Sequence, residues 1–228
     1  MSSLSQVINS GDIDIMQIAR RKFMFAAAVS ALGSTMAPLA LKSAAWASAP
    51  SDAAKPVEAL HAALLETMQD GEALGFGGRL KKLEPVLGKV FDIPGMARTA
   101  LGAAWKVLST GEQATAIDVF SRYIATMYAA RFKSSGGVTF DTGAVTERGT
   151  DKAIVATSLV RPGKDPIALN YLVYDESGEW RIADVYLDGA ISQLAQLRAE
   201  FSTPFRSGGF AGLQAALEDK IKQLGGGA

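Results

Sequence analysis

Few residues of this chain are suited to acid–base or metal chemistry. Cysteine is absent and His61 is the one histidine, so neither a thiolate site nor a cluster of metal-ligating side chains is predicted. A serine hydrolase would need His61 as its base, and the chain has no Gly-x-Ser-x-Gly turn. Its glycine-rich runs also lack the spacings that cradle phosphates. We expect His61 to be a partly exposed helix residue without a chemical role.

Asp184 is the strongest candidate for catalysis. Strict alternation along a predicted strand places it on the face shared by Trp180 and Ile182. If that face lines a cavity, the carboxylate could abstract a proton beside a carbonyl, as in an isomerase or dehydratase. The sequence nominates no second polar group to orient a substrate. The preferred interpretation is therefore structural: Asp184 pairs with a cation such as Arg98 or Arg131, or caps a neighbouring turn.

The stretch 178–201 combines a strand with a helix. In its first half Trp180, Ile182 and Tyr186 alternate with Ala183, Val185 and Leu187, which predicts a strand covered on both faces. From Gly189 onward the apolar residues are spaced three and four apart, as on one face of a helix, at Ile191, Leu194, Leu197 and Phe201. A strand followed by a helix that folds back under the sheet can form a pocket wall.

Four β-rich runs precede this helix or lead into it, at 138–146, 153–161, 166–174 and 180–187. The short connections between them have turn chemistry, so an antiparallel meander is predicted. Neither face of the third run is fully polar, and we expect the sheet to be packed on one side and to line something on the other.

Helices are predicted on both sides of these strands. The first begins near Val57, is interrupted at Gly71 and Gly75, and continues to about residue 90. Asp92 is expected to cap a short helix, and Ser109 with Glu112 to form the capping box of the longest one. After the strands, helices are predicted over 191–205 and 210–224, separated by Ser207-Gly208-Gly209. The class is α+β with four strands.

The overall composition describes a folded protein with no strong charge. Hydrophobic residues make up 48% of the 228, and 23 basic residues balance 23 acidic ones. This composition excludes a disordered chain, and the zero net charge argues against a nucleic acid partner.

The N-terminal segment predicts export. Arg20-Arg21-Lys22 precedes an apolar stretch from Phe23 to Leu41, and Ala45-Trp46-Ala47 provides a small-x-small cleavage site. We interpret residues 1–47 as a cleavable signal peptide rather than a retained anchor, because Gly33, Ser34 and Pro38 weaken the apolar run. Residues 48–56 are expected to be a linker, 57–224 a single domain and 225–228 a disordered tail. The removed segment is basic, so the mature protein is mildly acidic.

A family resemblance is carried by Trp180-Arg-Ile-Ala-Asp-Val-Tyr-Leu-Asp188-Gly-Ala-Ile-Ser192, with Arg198 and Phe201 following. Further matching positions include Phe91-Asp92, Trp105 and Phe120. Over roughly residues 55–222 the chain resembles the MlaC-type, or toluene-tolerance auxiliary, phospholipid-binding proteins, and within them the hopanoid-associated HpnM branch. The resemblance implies an NTF2-like cone, in which helices wrap a curved four-stranded sheet around an apolar cavity.

Residue type alone leaves open whether the large apolar side chains fill one another or line such a cavity. The resemblance favours a lining, made by Trp105, Phe120, Tyr123, Ile124, Met127, Leu169, Tyr171, Ile182, Val185 and Ile191. It implies a periplasmic carrier, without catalysis or cofactor, that moves phospholipid or hopanoid between inner and outer membranes. The carrier would be a monomer that docks transiently on membrane transport complexes, through a rim that includes Lys81, Lys82 and Arg98. An accessory subunit with a filled core is the remaining alternative.

Overall fold

Helices pack against one face of an antiparallel sheet in this protein. The computed structural model describes residues 52–226. The helices are α1 Lys55–Gln69, α2 Gly71–Val90, α3 Ile93–Leu101, α4 Thr110–Arg131 and α5 Gln193–Gly226. The strands are β1 Thr139–Glu147, β2 Lys152–Arg161, β3 Lys164–Glu176, β4 Glu179–Leu187 and β5 Ile191–Ser192. The predicted α+β class is confirmed.

The sheet is an open antiparallel meander in the order β1-β2-β3-β4-β5, which confirms the predicted topology. The prediction of four strands is wrong, because Ile191 and Ser192 form a fifth strand that pairs with Leu187 and Tyr186. The chain returns through Asp188 and Gly189, both at positive φ, as tight hairpins require. A two-residue strand carries no periodicity, so the sequence pattern merged it with the helix that follows.

The core lies on one face of the sheet. Buried and half-buried positions alternate along β2, and the buried set is Ala153, Val155, Thr157 and Leu159. Their partners on β3, such as Leu169 and Tyr171, are buried as well. Helix α1 adds Leu60 and Leu64, which are at most 1% exposed.

A bulge in β4 corrects the predicted faces of that strand. Tyr171 pairs with Val185, and Val173 pairs with Ile182, so an extra residue lies between the two pairs. Since residues 171 and 173 share a face of β3, Ile182 and Val185 also point to one face, although strict alternation placed them on opposite faces. The bulge therefore brings both side chains towards the helices.

Two segments cover the edge of β4 that faces away from β3. β5 pairs with its end, and Phe91 forms a parallel bridge with Ile182, where the Asp92 N–H donates to the Ile182 carbonyl at 2.9 Å. The Asp92 side chain then accepts from the Gly95 N–H and caps α3, as predicted. The predicted capping box of Ser109 and Glu112 at the start of α4 is also present. These contacts partly cover an edge of β4 that could otherwise pair with another chain.

Two glycines kink the helices where interruptions were predicted. Gly75 in α2 has φ 60°, and Gly209 in α5 has φ 60° and ψ −151°. Glycine adopts this left-handed backbone without the penalty of a Cβ atom. We refer to residues 193–208 of α5 as its first arm and to residues 210–226 as its second arm.

Within the described residues, two helix boundaries differ slightly from those predicted. Residues 52–54 form a 3-10 turn and α1 begins at Lys55, so the second half of the predicted linker is helical. Gly225 and Gly226, placed in the predicted tail, belong to α5. The predicted signal peptide lies outside the described residues. Between residues 52 and 226, no helix is long and apolar enough to cross a bilayer.

Candidate functional site

A cavity of about 510 Å³ lies between the sheet and the helices. Its volume is within the range of roughly 300–1,000 Å³ that is typical of small-molecule pockets. Helix α4, both arms of α5 and strands β3 and β4 contribute most of its walls. The apolar lining residues are Leu64, Phe91, Met96, Tyr123, Ile124, Met127, Tyr128, Phe132, Phe140, Leu169, Tyr171, Val185, Leu187, Leu194, Leu197 and Leu224.

The polar lining residues are concentrated at the solvent side. Six of them, Arg131, Gln193, Gln196, Glu200, Lys220 and Gln223, are half-buried or exposed. The seventh polar lining residue, Asp184, is buried, with 6% exposure. Most of the apolar lining, by contrast, is buried. The cavity is therefore an apolar pocket with a polar and charged mouth, formed mainly by α5. Such a site matches a guest that is apolar over most of its length and polar at one end.

Six of the ten side chains predicted to line a cavity do line this one, namely Tyr123, Ile124, Met127, Leu169, Tyr171 and Val185. All but Met127 and Val185 are buried. Leu169 and Tyr171 belong to the same face that packs against the helices. Packing and cavity thus share one face of the sheet, and the expectation that they would use opposite faces is wrong.

The other four predicted lining residues lie elsewhere. Phe120 and Ile182 are 0% exposed and are enclosed in the core. Trp105 lies in a 3-10 turn over residues 102–107, with the Arg98 guanidinium 5.8 Å from its ring centroid. Ile191 is 39% exposed on β5, because the chain at that point is a strand and not the first turn of α5. A large apolar side chain can therefore be correctly assigned to the domain interior and still not reach the cavity.

Several cavity residues were missed by sequence reasoning. Tyr128 of α4 and Phe132, the residue directly after that helix, continue its apolar stripe, and their spacing from Ile124 was a signal that could have included them. Leu194 and Leu197 likewise share the stripe of the first arm. The charged residues of the mouth come from α4 and both arms of α5. No spacing along the sequence therefore indicates that they lie together.

His61 differs from its prediction because it is buried, with 5% exposure. Its Nε2 lies 3.0 Å from the Tyr171 hydroxyl, and its ring stacks on Phe140 with centroids 4.0 Å apart. Burial lowers the pKa of His61 to about 4 and raises the pKa of Tyr171 well above its usual range. Both groups are therefore neutral at pH 7, and they form a hydrogen-bonded pair in which Tyr171 lines the cavity and His61 lies behind it.

Asp184 is a structural cap. Its Oδ1 accepts hydrogen bonds from the backbone N–H groups of Val185 at 2.8 Å and Leu194 at 3.2 Å. Its Oδ2 accepts from the Ser192 hydroxyl at 2.5 Å. No cation within the described residues forms a salt bridge with it, so the interpretation as a turn cap fits and the pairing with Arg98 or Arg131 is wrong. A carboxylate already engaged by three donors is poorly placed to act as a general base.

An α+β domain with an apolar pocket and a polar mouth is a ligand-binding architecture. A family model described as MlaC protein matches residues 58–219, so the chain belongs to the MlaC family. The phospholipid-binding protein from Ralstonia solanacearum, solved in complex with a phospholipid, has a similar fold, with a TM-score of 0.68 and 19% identity. The match covers 76% of this chain and 99% of that one. No curated protein matches the sequence.

Replacing Asp184 with alanine is expected to destabilise the fold. The change leaves the Leu194 N–H and the Ser192 hydroxyl without their acceptor, and hydrogen bonds to a charged group contribute about 1.5–3 kcal/mol each. We expect the free energy of unfolding in urea to fall by about 3 kcal/mol. Asp219→Ala on the exposed surface of α5 is the matched control, and we expect it to change stability by less than about 0.5 kcal/mol. Equal stability of the two variants would contradict the capping role.

The buried His61 predicts a pH dependence of stability. Its pKa rises from about 4 in the folded state to about 6.5 on unfolding, so the unfolded chain binds a proton more readily between these values. Stability from this group is complete above about pH 6.5 and is lost as the pH falls towards 4. Between pH 7 and pH 5 the contribution of His61 to the free energy of unfolding falls by about 2 kcal/mol.

The measurement is urea unfolding at both pH values for the wild type and for His61→Gln. Glutamine cannot titrate but can still hydrogen-bond to the Tyr171 hydroxyl. We expect a smaller pH effect in His61→Gln, because only the carboxylates that both proteins share then contribute. An identical pH effect in the two proteins would show that His61 is not the responsible group.

Proposed function

We propose that this protein is a periplasmic lipid carrier that holds the acyl chains of a phospholipid in its cavity and moves the lipid between membranes. The observation that carries the proposal is the cavity itself, which combines about 510 Å³ of space with buried apolar walls and a polar mouth. Membership of the MlaC family and the phospholipid bound by the Ralstonia solanacearum protein support it. The predicted likeness to the HpnM branch makes hopanoid a second candidate guest of the same pocket.

The energetics of acyl-chain transfer suit a carrier. Each methylene removed from water contributes about 0.8 kcal/mol, so two long chains gain more than about 20 kcal/mol in gross terms. Transfer from a bilayer gains little, because the chains are already in an apolar environment there. A guest in this cavity is consequently retained against loss to water and can still exchange with a membrane at small net cost.

The two alternative functions fit the site less well. Catalysis by Asp184 is disfavoured because both carboxylate oxygens are engaged as caps. An accessory subunit with a filled core is disfavoured by the open space between α4, α5 and the sheet.

Docking on membrane complexes is part of the proposal. Of the rim cations named from the sequence, Lys81 and Arg98 are exposed, and Lys82 forms a salt bridge of 3.0 Å with Glu66. None of the three lines the cavity, so we assign docking to the rim in general. The monomeric state also remains a prediction.

Substitutions on the cavity wall should abolish lipid retention without unfolding the domain. Val185→Glu places a carboxylate among the apolar lining, and Met127→Trp fills part of the space; both original residues are half-buried at the wall. Losing contact with two or more methylenes costs about 1.6 kcal/mol or more, which corresponds to at least about a tenfold loss of bound lipid. Native mass spectrometry and lipid extraction of gently purified protein give the occupancy.

Ile154→Glu is the matched control for Val185→Glu. Ile154 is half-buried on β2 but points to the opposite face of the sheet, between the buried residues Ala153 and Val155. We expect Ile154→Glu to retain lipid at the level of the wild type. Wild-type protein without any co-purifying lipid, and without uptake from phospholipid vesicles, would refute the proposed function.

A further inference from the structure

Three charged side chains meet at the mouth of the cavity. Arg131 is the last residue of α4, Glu200 lies on the first arm of α5, and Lys220 lies on the second arm. All three line the cavity together with Tyr123. Burial raises the pKa of the Tyr123 hydroxyl; Glu200 raises it further, while Lys220 and Arg131 lower it. The three charges therefore act on one phenol of the cavity lining.

The charges at the mouth are unequally paired. Lys220 forms a salt bridge with Glu200, whereas Arg131 has no salt bridge in the part of the chain from 52 to 226. The side chains of Lys220 and Glu200 are 32% and 45% exposed, so a ligand at the mouth can reach them. The cluster has a net charge of +1 and a cation available for an anionic ligand.

The backbone that carries Lys220 is held in place independently of Glu200. Arg122 on α4 donates two hydrogen bonds to Glu218 on the second arm, at 3.0 and 2.5 Å. Glu200 is on the other side of the kink at Gly209, in the first arm. Lys220 can consequently change its partner without losing the attachment of its own helix to α4.

We propose that Arg131 and Lys220 form a binding site for the anionic phosphate of a lipid headgroup, with Glu200 as the internal counter-ion of Lys220 when no headgroup is bound. This inference rests on the proposed function. A guanidinium can donate two parallel hydrogen bonds to a phosphate, and the lysine ammonium adds a second positive charge. Glu200 competes with the phosphate for Lys220. The site therefore favours lipids whose headgroup has a net negative charge.

The test offers three lipids with identical acyl chains. Each protein is incubated with vesicles containing equal amounts of dioleoylphosphatidylglycerol, dioleoylphosphatidylcholine and dioleoylglycerol, and the lipids it takes up are quantified by mass spectrometry. We expect wild-type protein to prefer the anionic phosphatidylglycerol to the phosphate-free dioleoylglycerol by about tenfold, with phosphatidylcholine between them. The preference should weaken as salt is raised, because the charges at the mouth are partly exposed.

Four variants test whether the charged side chains at the mouth cause the preference for phosphatidylglycerol over dioleoylglycerol. Arg131→Gln and Lys220→Gln should each reduce the ratio of phosphatidylglycerol to dioleoylglycerol several-fold, while Glu200→Gln should increase it. Lys222→Gln removes the same charge from the same arm at a side chain that is 77% exposed and not part of the lining, and it should leave the ratio unchanged. The opposite signs expected for Glu200→Gln and Lys220→Gln separate a headgroup effect from a general loss of stability.

The outcomes distinguish the headgroup site from the lipid pocket. Uptake of all three lipids in equal amounts by the wild type and the variants would overturn the headgroup site and leave the carrier function intact. Uptake of none would overturn both. Glycerol 3-phosphate provides the phosphate without acyl chains, and we expect a large excess of it not to displace phosphatidylglycerol. Displacement would instead assign the site to a free phosphate ester.

Discussion

Three hydrogen bonds converge on the carboxylate of Asp184, and the rest of the cavity depends on them. They join β4 to β5 through the Ser192 hydroxyl and to the first turn of α5 through the Leu194 N–H. Because this junction fixes where α5 leaves the sheet, it also sets the path of the helix that forms the mouth. A buried carboxylate is costly unless it is fully hydrogen-bonded, and here two of its three donors come from β5 and α5, the elements that it joins to β4.

The two arms of α5 are attached to α4 by separate contacts. The second arm is bound to α4 by the salt bridge of Arg122 with Glu218, while the first arm packs Phe201 edge-on against Tyr123, with ring centroids 6.2 Å apart. The kink at Gly209 lets the arms follow different directions. Both arms are thereby fixed to α4, the helix that forms another wall of the cavity.

Apart from the capped carboxylate of Asp184, the described cavity lining carries its charged side chains at the rim. At the cavity wall, the Tyr171 hydroxyl and the His61 ring behind it form a hydrogen bond while both remain uncharged, and burial maintains that state. At the mouth, charges are exposed enough to be hydrated and to exchange partners. This division suits a ligand whose chains must leave water completely while its polar end does not.

Local pattern alone determined much of this protein. The α+β class, the antiparallel meander, the caps at Asp92 and Ser109 and the breaks at Gly75 and Gly209 all follow from periodicity, capping and the backbone freedom of glycine, which act over a few residues. Tertiary structure alone decided which apolar side chains meet the cavity. Phe120 and Tyr123 lie on one helix and look equivalent in sequence, yet the first is enclosed and the second lines the cavity. The bulge in β4, the strand β5 and the charged mouth depend likewise on contacts between distant segments, and such contacts leave no periodic signal in the chain.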